Sequence, residues 1–99
     1  MAPERRHRLT PAAEQDLEEI WRFTARKWSP VRANLYIRDF LSAFAELASS
    51  ERMGTVVFPK QAYYRLLVGS HVIVYRASAT HIDVIRVLHQ SMDLPQHIT

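Results

Sequence analysis

The stretch from Tyr64 to Asp93 constrains this chain more than any other. Three runs rich in Val, Ile, Leu and Tyr follow one another between turn signals. That pattern predicts adjacent antiparallel strands near residues 63–68, 71–77 and 81–88. The first break, Gly69-Ser70, suits a tight hairpin because glycine tolerates positive φ. The second, Ala77 to Thr80, is small and polar. In the last run Ile82, Val84, Arg86 and Leu88 alternate with Asp83, Ile85, Val87 and His89, so both faces are largely apolar. Such a strand is central, or something covers its second face. Two isolated arginines, Arg65 and Arg86, interrupt the meander, with His89 close behind. A cation in an apolar strand must face solvent, find a partner or await a ligand.

The segments before the meander supply its packing partner. His7 to Thr10 alternates weakly and predicts a short N-terminal strand. Thr10 then serves as N-cap with Pro11 at the first helical position, and Glu14, Asp16, Glu18 and Glu19 favour the positive end of the helix dipole. Leu17, Ile20, Trp21, Thr24 and Trp28 share one face of this helix, expected over residues 11–28. Ser29-Pro30 restarts the chain in the same manner. The second helix, over 30–49, buries Ala33, Tyr36, Ile37, Phe40, Phe44, Leu47 and Ala48. So short a connection makes the pair an antiparallel hairpin. Gly54 is available for a left-handed cap or turn, and 55–62 reads as a loop with one short edge strand before Pro59.

These elements give an α+β domain: an N-terminal strand and an antiparallel helix hairpin packed on one face of a small antiparallel sheet. One domain spans 1–99, with a core over about 7–94 and a loose tail over 95–99. Two helices cover one face of the sheet, so the partly apolar second face predicts a partner surface. Cysteine is absent, which removes disulfides, thiolate metal sites and cysteine nucleophiles. No apolar run reaches membrane-spanning length, so a cytoplasmic protein without membrane contact is expected. The histidines have no ligand-like spacing, and neither a metal nor another cofactor is expected. The net charge of +3 is uneven: residues 55–99 carry four basic side chains and only two acids, Asp83 and Asp93. That half suits an acidic partner or nucleic acid.

Three motifs in order carry a family resemblance. They are Leu9 to Trp21, Tyr64-Arg65-Leu66 leading into Val68 to Arg76, and Ile82 to Asp93 with its Arg-Val-Leu-His-Gln-Ser-Met-Asp ending. Over about residues 7–94 the chain resembles the RelE/ParE superfamily of toxin–antitoxin toxins, and it is more similar to the ParE branch. The resemblance implies a toxin of a type II system that inhibits DNA gyrase and is neutralised by a cognate antitoxin in a hetero-oligomer. On this reading the protein is a binding inhibitor and not an enzyme. RelE-type relatives share the fold but cut messenger RNA on the ribosome, which makes an endoribonuclease the alternative. An inactive relative that only binds its antitoxin is a third reading. Ser91 stands where these toxins often carry arginine, which removes one cation from the presumed active end, and Thr55 follows Gly54 where the family also often has arginine.

Arg65, Arg86, His89 and Met92 are the candidates for contacting the target. Trp21, Trp28, Arg65, Tyr75 and Arg86 are the candidates for an acidic amphipathic segment of the antitoxin. Arg65, Arg86 and His89 are also the minimum set for RNA cleavage by 2′-hydroxyl attack, with two cations for phosphate charge and one proton carrier. The bland readings compete with these: an ion pair of Arg86 with Asp93, an ordinary hydrogen-bonded His89, and two tryptophans packed in the core. With only Lys27 and Lys60 as lysines and a modest net charge, direct nucleic-acid binding is expected only of the nuclease.

Overall fold

The computed structural model describes residues 4–98. The chain runs β1 (Arg6–Leu9), α1 (Pro11–Lys27), α2 (Pro30–Ala48), β2 (Thr55–Phe58), β3 (Tyr63–Val68), β4 (His71–Ala77), β5 (His81–His89) and a single helical turn α3 (Leu94–His97). Both long helices start as their sequences dictate. The Thr10 hydroxyl accepts from the Ala13 N–H and the Ser29 hydroxyl from the Arg32 N–H, each at 3.1 Å, with proline in the first turn. Trp28 ends α1 and Ser29 begins α2, so the chain reverses and the helices pack side by side.

The meander is antiparallel, and Gly69, at φ +56°, takes the first central position of the β3–β4 turn. β1, however, joins β5 in parallel, so the sheet is mixed, in the order β1-β5-β4-β3-β2. The helix hairpin and the strands β2 to β4 lie between the two in sequence, and that length lets the first strand pair in parallel beside the last without a tight turn. β1 pairs only with His81 to Val84. Beyond it α1 completes the edge: the Thr10 hydroxyl donates to the Ile85 carbonyl at 2.7 Å, and the Asp16 carboxylate accepts from the Val87 N–H at 2.9 Å. A bulge opposite Val74 and Tyr75 inserts one residue into β5 between Val84 and Arg86. It keeps Val84 and Val87 both in the core and turns Arg86 away from it.

The helices and sheet meet in one core of Ala13, Ile20, Phe40, Ala43, Phe44, Leu47, Ile73, Tyr75, Ile82, Val84 and Val87. Four expectations change here. Trp28 is 61% exposed, because it caps α1 at the hairpin tip, beyond the end of the sheet. Trp21 is half-buried and donates to Asn34 at 2.8 Å, tying the two helices rather than filling the core. The left-handed residue after α2 is Ser50, at φ 66°; Gly54 is needed because a Cβ there would overlap the Arg65 carbonyl. The second face of the sheet offers no apolar partner surface from its central strands, since Val72, Val74 and Leu88 are at most 2% exposed. α3 forms a hydrogen-bonded turn, and Arg86 donates to the His97 carbonyl at 3.2 Å, holding it to β5.

Candidate functional site

Because α1 and α2 overhang the end of the sheet, a groove opens between the hairpin tip and the ends of β4 and β5. Its volume is about 1110 Å³. Phe23, Trp28 and Leu35 stand exposed on the helix side, and Met92 on the strand side. Lys27 and Arg32 flank the Trp28 ring at 5.8 and 5.0 Å from its centroid, so cations stand at the hairpin end of the mouth, while Glu19 and Asp39 line it further along the helices.

Asp16 and Arg86 form the polar floor. The Arg86 guanidinium donates twice to the Asp16 carboxylate, at 2.7 and 2.8 Å, while the same carboxylate takes the Val87 N–H. Asp16 is the one buried charged side chain among the described residues, and it is fully partnered. The Arg86 guanidinium is pushed up in pKa by that hydrogen-bonded pairing, against the cost of burial. The ion pair expected with Asp93 is therefore made with Asp16, seventy residues away in sequence. Two anomalies in the sequence answer each other: an acid within the Ala13–Ile20 face of α1, and an arginine in an apolar strand.

A histidine pair closes the strand end of the groove. The His71 and His89 rings meet edge to face at 5.2 Å between centroids. His71 Nδ1 lies 2.7 Å from the Tyr36 hydroxyl, which also accepts from the Ser70 N–H and reaches the Val68 carbonyl. Burial pushes His71 down to about 4, His89 adds to the shift, and Asp16 opposes it, so the ring is neutral near pH 7. His89 Nδ1 accepts from the Ser91 N–H at 3.1 Å and lies 2.7 Å from the Ser91 hydroxyl. Ser91 thus orients the His89 ring.

The predicted residues do not all converge. Arg86, His89, Met92 and Trp28 line this groove. Arg65 lines a second, smaller one with Met53, Val56 and Leu67 on the β2–β3 side. Trp21 lines neither. Tyr75, proposed for antitoxin contact, is 4% exposed and holds the Gly54 N–H with its hydroxyl, so it has no surface to offer a partner. Sequence reasoning passed over Tyr36, His71, Phe23 and Leu35. Only Phe23 and Leu35 carried a signal, as large apolar side chains outside the predicted buried stripes. Among the described residues no three His, Asp or Glu side chains gather to hold a metal ion.

Residues 7–94 match the family model described as ParE toxin of type II toxin-antitoxin system, parDE. The chain belongs to the ParE toxin family. It is 38% identical over 95 residues to Toxin ParE1 of Mycobacterium tuberculosis, covering 94% of this chain and 97% of the relative. With Toxin ParE1 of Caulobacter vibrioides it shares 34% over 93 residues, covering 93% and 96%. Two solved structures share its fold. One, the chromosomal ParDE TA system from P. aeruginosa, superposes with a TM-score of 0.74 at 16% identity, covering 87% of this chain and 96% of that one. The other, the toxin–antitoxin complex RelBE2 from Mycobacterium tuberculosis, gives 0.61 at 22% identity, covering 93% and 97%. This ParE family member keeps the α+β architecture that its motifs imply.

Proposed function

We propose that this ParE family toxin inhibits DNA gyrase by binding it, and that a cognate antitoxin neutralises it by laying an acidic amphipathic segment into the groove at the hairpin tip. The observation that carries the first part is the separation of the three nuclease candidates. Arg65 opens on a different groove from Arg86 and His89, and the Arg86 guanidinium is already committed to Asp16. A transition-state phosphate needs free cations converging on one point. Inhibition by binding has no such requirement.

The antitoxin reading is supported by the chemistry of the groove. Phe23, Trp28, Leu35 and Met92 present apolar surface to solvent, and Lys27 and Arg32 rim it. An amphipathic helix buries its apolar face in such a groove while its acids meet the rim. A toxin whose target is gyrase acts in the cytoplasm, where the antitoxin is made beside it. Titration of the purified toxin with its antitoxin tests the groove. Trp28→Ala and Phe23→Ala should each weaken binding about tenfold or more, as buried aromatic anchors do. Leu67→Ala, on the far face of the sheet, should leave it unchanged. Equal losses from all three variants would contradict the groove as the binding site.

A further inference from the structure

The net charge of +3 conceals a segregation that only the fold reveals. α1 and α2 carry six of the ten acids: Glu14, Asp16, Glu18, Glu19, Asp39 and Glu46. The strands carry five arginines, at positions 6, 8, 65, 76 and 86, and a single acid, Asp83. Strand alternation directs these charges. Leu9, Tyr64, Leu66, Ile73, Tyr75, Ile82 and Val84 pack toward the helices, so Arg6, Arg8, Arg65, Arg76, His81 and Asp83 stand on the opposite face. Register aligns Arg8, Asp83, Arg76 and Tyr63 in one row across β1, β5, β4 and β3. Asp83 pairs with Arg8 and also feels Arg76 and His81. Arg65 and Arg76 are exposed and have no ion-pair partner among the described residues.

From this arrangement we infer that the exposed arginines on the sheet face turned away from the helices, Arg6, Arg8, Arg65 and Arg76, bind the phosphodiester backbone of duplex DNA. Guanidinium forks match phosphate oxygens, and backbone contacts require cations in register rather than apolar anchors. A protein partner of comparable strength needs an apolar, charge-poor interface centre. Here Val72, Val74 and Leu88, which would form that centre, are already buried within the chain, and Leu67 is the large apolar side chain this face leaves exposed, too little for such a centre. A single strand needs exposed aromatic platforms. Tyr63, the aromatic in the arginine row, is half-buried and meets Phe58 edge to face at 6.4 Å. The inference rests on this charge map and holds whether or not gyrase is the target.

Fluorescence anisotropy with a labelled duplex of about 20 base pairs tests it, on the full chain. With about three phosphates neutralised, affinity should fall roughly 40-fold between about 50 and 200 mM salt. Arg65→Ala and Arg76→Ala should each weaken binding and lower the salt slope by about 1. Arg22→Ala with Arg38→Ala, on the helices and with twice the charge loss of either strand variant, should change affinity less than about twofold. Asp83→Asn removes the face's one acid and frees Arg8, so it should tighten binding by roughly threefold or more, a gain that no folding defect can imitate. No duplex binding at low salt would overturn the proposal. So would equal losses from the helix and strand variants, tighter binding of single-stranded DNA than of duplex, or capture of poly-glutamate in place of DNA.

Discussion

Asp16 is the residue on which most of the groove depends. One carboxylate satisfies the Arg86 fork and the Val87 N–H, and so joins α1 to the open edge of β5. Asp16→Asn keeps the shape but leaves Arg86 without its counter-charge and the strand edge with a poorer acceptor. Urea unfolding should show a loss of about 2–3 kcal/mol, below the figure for a fully buried pair because Arg86 is a quarter exposed. His71 gives a second test, through pH. Its folded pKa of about 4 lies below the ordinary 6.5, so between those values the unfolded chain binds a proton that the folded chain refuses. Stability therefore falls as pH drops through that window, by on the order of 1–2 kcal/mol after discounting for solvent screening at the ring edge. Thermal melts at pH 7 and pH 4.5 should show the loss. His71→Gln, which cannot titrate, should shrink it, whatever the variant costs at neutral pH.

At the scale of elements, the β3–β4 turn is clamped to α2 rather than held by its own strands alone. Gly69 sits at φ +56°, and a Cβ there would meet the Tyr36 ring and hydroxyl at 2.7 Å. Gly69→Ala should thus strain the backbone and push Tyr36 off the Ser70 N–H, costing about 1–3 kcal/mol by denaturant unfolding. A neutral outcome would mean that the clamp is not felt in solution. The strands, the caps at Thr10 and Ser29 and the stripe of α2 were legible in the sequence because each is a local pattern of period, cap chemistry or turn residue. The parallel β1–β5 pair, the Asp16–Arg86 bond and the placement of Trp28 at an overhanging tip were not. Each depends on where distant segments meet, and a seven-residue spacing of tryptophans cannot tell that the sheet ends before the helix does. For the same reason the three nuclease candidates, close in the list of polar strand residues, open on two different grooves.

For the whole molecule, the fold divides the surface into regions of different chemistry. The hairpin tip is apolar with cations beside Trp28, the helices hold six of the ten acids, and the sheet face turned away from them carries Arg6, Arg8, Arg65 and Arg76. On the proposed reading, such a division would let one small chain hold an antitoxin at its end while another face stays accessible. The proposed mode of action is most directly tested by DNA supercoiling with purified gyrase, comparing the native chain with His89→Gln. His89 is held by Ser91 beside His71, and inhibition by binding asks no proton transfer of it. Both proteins should therefore block supercoiling, with the variant weaker by no more than on the order of 1 kcal/mol of lost contact, and the antitoxin should relieve both. Supercoiling untouched by the native chain, alongside cleavage of ribosome-bound message that falls about 10²–10⁴-fold in His89→Gln, would contradict it and make the protein a nuclease.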